Sequence, residues 1–212
     1  MKVAVFSESA ADEAVYRVLV EALLGEATEA AGFPVAARGW PSVRDDLCRV
    51  IPALHYGIEA EGLVIVADSN HSPLHEPEHD KIAGGYPKCR LCELRGEVAK
   101  ARSRLNPVAG RAVLKIAVGL AVPAMEAWLR CKRGSNVSEV AWGRGFAEKK
   151  FPYTKNGLKR DVYGTDRPSL VLETERGTEE ARRLAGQMEL LEAKFPIGFG
   201  SLARDVRGWR ES

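Results

Sequence analysis

The stretch Gly62-Leu-Val-Ile-Val-Ala-Asp-Ser-Asn70 decides the fold that we predict for this chain. Its centre, residues 63–66, is a continuous apolar run rich in β-branched side chains. Such a run is typical of a strand that is buried on both faces of a parallel sheet. Asp68 stands where this strand is expected to end, and open parallel sheets bind ligands outside the carboxyl ends of their strands. Asp68 is therefore either a metal-ligating or acid–base carboxylate, or the start of an Asx turn.

Short apolar runs and amphipathic segments alternate on both sides of this strand. We predict strands at 3–6, 33–40, 62–67 and 112–122, and helices at 10–24, 41–56, 91–105 and 124–131. Pro52 lies inside the second helical pattern and is expected to kink or split it. The β-α-β-α-β order predicts an α/β domain with a mainly parallel, Rossmann-like sheet and helices on both faces.

The chain is expected to contain one α/β core and one appendage. Residues 1–133 form the predicted core, and a loop rich in His, Cys and Pro interrupts it at 69–92. Residues 134–212 are predicted to be a helical, basic C-terminal extension packed on the core. Within it we expect a helix at 178–194, a turn at 195–200 and a terminal helix at 201–209.

Composition sets broad limits on function. The 212 residues are 45% hydrophobic and 28% charged with a net charge of +2, which is ordinary for a globular protein and neither demands nor excludes nucleic acid. No signal peptide is evident, and no apolar run approaches the ~20 residues of a membrane span. We therefore expect a cytoplasmic protein without a membrane partner, whose four cysteines are thiols or metal ligands rather than disulfides.

Acidic and amide side chains follow three of the predicted strands. Glu8 follows the first strand, Asp68 and Asn70 end the central one, and Glu126 lies just past the run at 112–122. A parallel sheet brings these positions to one edge, where converging carboxylates repel one another unless a cation lies among them. Oxygen ligands of this kind suit Mg²⁺ or Mn²⁺. The alternative for Glu8 is a carboxylate that stabilises the N-terminus of the next helix.

The same motifs resemble those of the Toprim family. Glu8 and Asp68-Ser-Asn70 resemble its Glu and Asp-x-Asp motifs, and the segment ending in Glu126-Ala-Trp-Leu129 is similar to one in bacterial Toprim-like proteins related to the nuclease half of OLD-family proteins. The resemblance covers about the first two thirds of the chain. It implies metal-dependent cleavage of phosphodiesters in DNA or RNA. It also implies Glu8 as ligand or general base, Asp68 as principal metal ligand and Glu126 as a further ligand.

One position departs from the family pattern. Asn70 stands where the second Asp of the Asp-x-Asp pair is expected, and its amide oxygen can bind Mg²⁺ but brings no charge. Asn70 is therefore expected either to weaken the binding of a second metal ion or to indicate that catalysis has been lost. His71 or His75 is a candidate to compensate, which would shift the preference toward Mn²⁺ or Zn²⁺.

The loop contains a second candidate metal site. Its members follow the pattern His71-x3-His75-x3-His79-x9-Cys89-x2-Cys92, and Cys-x2-Cys is the spacing of a zinc knuckle. We predict structural zinc on Cys89 and Cys92 with His75 or His79. The alternative is a flexible polar loop with two incidental cysteines. A thioredoxin-type redox role is disfavoured because that motif opens a helix after the first strand of its domain.

A basic stretch at 149–160 is the third candidate. Lys155 and Lys159 lie one helical turn apart and are candidates for phosphate contact, although such runs are usually solvated helix faces. Trp142, Tyr153 and Trp209 are candidates to stack nucleobases, although aromatic residues are more often core.

These features support three functional hypotheses. The first is a Mg²⁺- or Mn²⁺-dependent nuclease or related phosphoryl-transfer enzyme, with structural zinc and a nucleic-acid partner, of the kind that serves in phage defence or DNA repair. The second is a non-catalytic, zinc-stabilised Toprim module that acts as a subunit of a larger system. The third, a Rossmann nucleotide-binding enzyme, is disfavoured because no Gly-x-Gly-x-x-Gly or Walker sequence follows the first strand.

Overall fold

The computed structural model describes residues 1–32, 39–133 and 136–210, and a four-stranded parallel sheet lies at its centre. The strands are β1 (Lys2–Phe6), β2 (Glu29–Ala30), β3 (Gly62–Asp68) and β4 (Lys115–Ala121). Their order across the sheet is β2-β1-β3-β4, and all neighbours pair in parallel. The prediction of an α/β fold with a parallel sheet is confirmed.

Nine α-helices surround the sheet within the described ranges. They are α1 (Ala10–Leu24), α2 (Gly39–Pro52), α3 (Arg90–Arg102), α4 (Met125–Arg130), α5 (Glu139–Glu148), α6 (Lys155–Tyr163), α7 (Leu170–Leu184), α8 (Met188–Lys194) and α9 (Gly198–Gly208). Helix α1 contacts α7 and α9, while α2 contacts α3. Every residue of β3 up to Ala67 is buried, so helices and loops cover both faces of the sheet.

The order of the strands determines where a ligand site forms. From β1 the chain crosses to β2 on one side, and then returns to β3 on the other side of β1. The carboxyl ends of β1 and β3 therefore flank a topological switch point, which is where open α/β sheets leave a crevice. The register aligns Phe6 with Ile65 and Asp68 with Ala121, so residues just after β1, β3 and β4 meet at one edge.

Local sequence explains the ends of the first two helices. The side chain of Ser9 accepts a hydrogen bond from the Asp12 amide at the start of α1, and Gly25 ends the helix with a left-handed φ of 65°. The predicted helix at 10–24 is confirmed. Helix α2 ends at Pro52, and a wider π-helical turn, Ala53–Gly57, follows it. Pro52 thus splits the helical pattern as expected, because it lacks an N–H for the regular ladder.

Three predictions of secondary structure need correction. Most of the strand predicted at 33–40 lies outside the described residues, but Gly39 and Trp40 belong to α2. The helix predicted at 178–194 is wrong, because α7 begins earlier, at the Ser169 cap, and a 3-10 turn, Ala185–Gln187, separates it from α8. Gly186 lies in that turn and favours the break.

The Gly-rich segment predicted as a turn at 195–200 enters a helix at Gly198. A Cβ atom at Gly198 would collide with the carbonyl of Leu120, and one at Gly119 would lie 3.1 Å from the Cβ of Leu202. Glycine at both positions lets α9 pack directly against β4. The apolar core of 1–133 is consequently continuous with that of the C-terminal helices, and the boundary predicted between 133 and 134 falls at a gap in the described residues.

Candidate functional site

The predicted acidic residues lie at the carboxyl edge of the sheet. A Glu8 carboxylate oxygen accepts a hydrogen bond of 2.9 Å from the Asp68 amide, which joins the ends of β1 and β3. Asp68 Oδ1 accepts a hydrogen bond of 3.1 Å from the amide of Met125, the first residue of α4. Glu126 follows Met125 and is buried. The structure therefore brings the ends of β1, β3 and β4 together around Asp68.

Two lysines from α6 reach into this acidic edge. Lys155 Nζ lies 2.6 Å from Asp68 Oδ2 and 3.0 Å from Asn70 Oδ1. Burial lowers the pKa of Lys155, but attraction to Asp68, Glu126 and Glu8 outweighs it, so that the pKa is raised and the ammonium stays charged. Lys159 Nζ lies 2.7 Å from Glu173 Oε1 and 3.7 Å from Glu126 Oε1. Both predicted phosphate-binding lysines thus form ion pairs with carboxylates of the chain itself.

Burial and mutual repulsion disfavour the charged forms of the carboxylates. Burial and then the charge of Asp68 raise the pKa of Glu126 to about 7. The same two causes, in the same order, raise the pKa of Glu8. Such a group of acids gains stability from any cation that enters it, whether an ammonium or a metal ion.

Asp12 belongs to this edge, although the sequence analysis did not single it out as a site residue. It lies on the first turn of α1, four residues after Glu8. Burial raises its pKa to about 8, and the charges of Asp68, Glu126 and Glu8 contribute to the increase. The feature of the sequence that could have identified Asp12 is its place on the first turn of the helix that follows β1, since that turn faces the crevice in this fold.

Arg90 is a second residue that sequence reasoning missed. As the first residue of α3, it donates a hydrogen bond of 2.5 Å to the carbonyl of Asp68, and its guanidinium lies 3.8 Å from Glu8 Oε1. The guanidinium also lies over the ring of Trp40, 4.6 Å from its centroid. Arg90 therefore fixes the backbone at the end of β3.

The four loop residues predicted to bind zinc form a compact cluster, which we call the His/Cys cluster. Ligand atoms of His75, His79, Cys89 and Cys92 all lie within 4.8 Å of one another, and all four residues are buried. His75 Nδ1 lies 3.4 Å from Cys92 Sγ and 3.8 Å from Cys89 Sγ. Tetrahedral zinc with ordinary bond lengths separates N and S ligands by about 3.6 Å. The cluster can therefore hold a metal such as zinc.

The surrounding loop holds the two imidazole rings in place. His75 Nε2 lies 3.3 Å from Arg95 Nη1 and 3.4 Å from Asp80 Oδ1, so these two side chains flank the ring. The ring of His79 stacks on Tyr86 with 4.3 Å between centroids. Gly85 has a left-handed φ of 81°, and a Cβ there would lie 2.8 Å from the Cβ of Cys92. These contacts explain how a proline-rich loop forms a defined cluster.

Two ligands of the His/Cys cluster, Cys89 and His75, have pKa values that favour their neutral forms. Burial raises the pKa of Cys89 to about 12, which keeps its thiol protonated. Burial, and then the charge of Arg95, lowers the pKa of His75, which keeps the imidazole in the neutral form that binds metals. The cluster therefore packs as part of the core without charge repulsion.

The remaining candidates divide between surface and core. His71 does not join the cluster: it packs edge-on against Phe151, with 6.0 Å between ring centroids, next to Asn70. Trp209 is buried against Gly62, so it is a core residue and unavailable for base stacking. Trp142 is buried as well, and it stacks on Phe151.

In the part of the chain that the structure describes, none of the helices has the length and apolar character to cross a membrane. No protein-family model, curated protein or solved structure matches the chain. Assignment of a function consequently depends on the chemistry of the two clusters.

Proposed function

We propose that the chain is a Toprim-like phosphodiesterase that cleaves nucleic acid with Mg²⁺ or Mn²⁺. One observation carries this proposal: Glu8, Asp68 and Glu126 follow the ends of three adjacent parallel strands, and backbone-amide hydrogen bonds tie Asp68 to Glu8 and to the start of α4 beside the topological switch point. The donor set consists of carboxylate oxygens with the amide oxygen of Asn70, which suits a hard divalent cation. The raised pKa values of Glu8 and Glu126 are those of acids that a cation would stabilise.

Each residue has a role in this proposal. Asp68, Glu126 and Asn70 would hold the cation, whose chemistry would be that of a Lewis acid toward a phosphoryl oxygen and toward a bound water. Glu8 would complete the ligand set or serve as general base, a task for which its raised pKa suits it. Lys155, which now neutralises Asp68, is positioned to contact the phosphate and offset its developing charge. Lys159 lies one turn away, beside Glu126.

Zinc at the His/Cys cluster completes the proposal. Two buried thiols and two buried imidazoles are a common donor set of structural zinc sites, which have no open coordination position. Cys89 directly precedes Arg90, so the same segment that would bind zinc also delivers the guanidinium to Asp68. The proposed zinc therefore serves the acidic edge by fixing the start of α3.

A second function has a specific observation in its favour. The ammonium of Lys155 bonds to both Asp68 and Asn70 and thus supplies the charge that a metal would provide. A site neutralised in this way is also what a non-catalytic, zinc-stabilised binding module would contain. Such a module would act as a subunit of a larger defence or repair system, and for either function we propose a cytoplasmic location.

Cleavage assays distinguish the two functions. Single-stranded DNA, single-stranded RNA and plasmid DNA are incubated with Mg²⁺ or Mn²⁺ and either the wild type, Glu8→Ala or Asp68→Ala. We expect metal-dependent cleavage that falls at least about 100-fold in both variants, since these residues would hold or use the metal directly. Asp166→Asn is the matched control, because Asp166 pairs with Arg160 on the surface.

Cleavage that persists in both alanine variants would contradict the assignment of the site. A wild-type protein that retains zinc but cleaves none of the substrates would instead support the binding module.

A further inference from the structure

A pocket of about 210 Å³ lies directly beside the acidic edge. Its walls include two residues of that edge and four aromatic rings: Asn70, Lys155, His71, Trp142, Phe151 and Tyr153. We call it the aromatic pocket. Its volume is below the roughly 300 Å³ of the smallest drug-sized ligand sites, so it suits a single ring system.

The rings are arranged as a stacking platform. Phe151 and Trp142 stack with 4.3 Å between centroids and 29° between planes, and Tyr153 continues the stack 5.4 Å from Trp142. Trp142 is 3% exposed, whereas Phe151 is 37% exposed. The buried indole therefore supports a phenyl ring that remains open to solvent, which is how proteins present an aromatic face to a nucleobase.

The polar side of the pocket connects the platform to the proposed chemistry. The ammonium of Lys155 lies in the pocket wall and 2.6 Å from Asp68 Oδ2. Asn70 also lines the pocket; its Oδ1 accepts a hydrogen bond from Lys155, and its amide NH₂ offers donors to the edge of a bound ring. A nucleobase on Phe151 would place its own phosphate toward Lys155 and Asp68.

A second concavity continues the path on the other side of Asn70 and His71. It measures about 350 Å³, and its lining includes three basic residues and one acid: Arg44, Lys88, Arg90 and Glu93, of which Arg44 and Glu93 form an ion pair of 3.2 Å. Positive charge of this kind tracks a phosphate backbone. An aromatic pocket and a basic concavity that share one wall match the alternation of base and phosphate along a single strand.

We propose that the aromatic pocket binds one unstacked nucleobase of a single-stranded nucleic acid, adjacent to the phosphate at Asp68. This inference rests on the proposed function for the position of the phosphate. A base inside a duplex is stacked and paired, so it would reach Phe151 only after flipping out. Single strands are therefore the preferred substrate class.

Equilibrium binding tests the pocket separately from cleavage. Fluorescein-labelled oligodeoxythymidine of about 12 nucleotides, its RNA counterpart, an abasic oligomer of equal length and a duplex are titrated without added Mg²⁺ or Mn²⁺. Anisotropy reports binding. The variants are Phe151→Ala and the matched control Leu190→Ala, since Leu190 is 37% exposed, as Phe151 is, and lies outside the pocket lining.

We expect Phe151→Ala to weaken binding of both base-containing single strands about 5- to 150-fold, as for loss of one base–aromatic stack. The abasic oligomer should bind the wild type and Phe151→Ala equally weakly, and Leu190→Ala should bind like the wild type. Equal binding of abasic and base-containing strands by the wild type would overturn the proposal. Binding by Phe151→Ala with the affinity of the wild type would overturn it as well.

The cleavage assay distinguishes the two proposals. Base-dependent binding without metal-dependent cleavage would support the aromatic pocket and contradict the phosphodiesterase. Metal-dependent cleavage at the same rate for abasic and base-containing strands, and in Phe151→Ala and the wild type, would support the phosphodiesterase and contradict the aromatic pocket.

Discussion

The acidic edge and the His/Cys cluster are built in opposite ways. The His/Cys cluster takes all its ligands from one short stretch, residues 75–92, and buries them, and burial favours the neutral forms of Cys89 and His75. The acidic edge gathers Glu8, Asp68 and Glu126 from three strand ends, leaves Asp68 partly exposed and depends on Lys155 for charge balance. A closed set of soft ligands is typical of structural zinc, whereas an open set of carboxylates is typical of a site that exchanges its cation.

The difference teaches what each site requires from the rest of the fold. The buried His/Cys cluster packs as core and needs only that its loop be held together. The acidic edge needs the sheet to bring its carboxylates together and a cation to make their proximity tolerable. Arg90 connects the two, because it follows Cys89 in the chain and binds the carbonyl of Asp68.

The largest expected effect is the loss of zinc. Cys89→Ser should reduce bound zinc from about one per chain to near zero and lower the free energy of unfolding by several kcal/mol, because zinc affinity is coupled to folding. Cys48→Ser is the matched control, since Cys48 is an exposed thiol outside the cluster. Elemental analysis and chemical unfolding measure both effects. Full zinc retention in Cys89→Ser would contradict the assignment of zinc to the His/Cys cluster.

The connection between the two sites should have an intermediate effect. Arg90→Lys keeps the charge but loses the planar guanidinium that both binds the Asp68 carbonyl and stacks on Trp40. We expect cleavage to fall about 10- to 100-fold, as for other residues that orient metal ligands, with zinc content unchanged. Arg49→Lys, on the exposed surface of α2, is the control. A parallel loss of zinc and activity would show that Arg90 supports the loop instead.

The pH dependence of stability that Asp12 contributes tests the charge state of the acidic edge. The pKa of Asp12, about 8 in the folded protein, lies above the 3.8 of an unperturbed aspartate, so the folded state binds more protons than the unfolded state at intermediate pH. The corresponding stability is complete below the unfolded pKa and is lost as pH rises toward 8. Asp12→Asn should flatten this decline, which for one proton is at most about 1.4 kcal/mol per pH unit.

Urea unfolding between pH 5 and pH 8 measures this slope, without Mg²⁺ or Mn²⁺. Asp45→Asn, at an exposed carboxylate, serves as the control. An unchanged slope in Asp12→Asn would show that Asp12 ionises freely and lies outside the acidic edge.

The smallest expected effect concerns competition between Lys155 and a metal. Both would bind Asp68 Oδ2, so Lys155→Met should tighten Mn²⁺ binding several-fold while it slows cleavage. Calorimetric titration with Mn²⁺ gives the affinity. Weaker Mn²⁺ binding in Lys155→Met would contradict the idea that the ammonium occupies the place of a cation.

Periodicity and strand-end placement predicted much of the molecule. The apolar run at 63–66 placed β3, and its carboxyl end correctly located the edge where Glu8 and Asp68 meet. The His and Cys spacing identified the members of the His/Cys cluster. These features depend on residues that are close in sequence or on the general geometry of parallel sheets.

Contacts across long sequence separations were beyond such reasoning. Lys155 meets Asp68 across 87 residues, and no local pattern encodes that approach. Arg90 resembled any basic residue at the start of a helix, and Asp12 resembled part of a capping pattern. The start of α9 at Gly198 was predicted as a turn, because Gly198 and Gly119 act as a complementary pair that only the folded chain shows.

Metal stoichiometry tests the central claim most directly. Wild type, Asp68→Ala and Cys89→Ser are each loaded with Zn²⁺ and Mn²⁺. One portion is then dialysed against metal-free buffer and another against excess Mn²⁺, and the zinc and manganese bound per chain are measured in both. We predict about one zinc that survives dialysis and an exchangeable Mn²⁺, with Asp68→Ala losing only Mn²⁺ and Cys89→Ser losing zinc. Retention of exchangeable Mn²⁺ by Asp68→Ala, or absence of zinc from the wild type, would contradict the account.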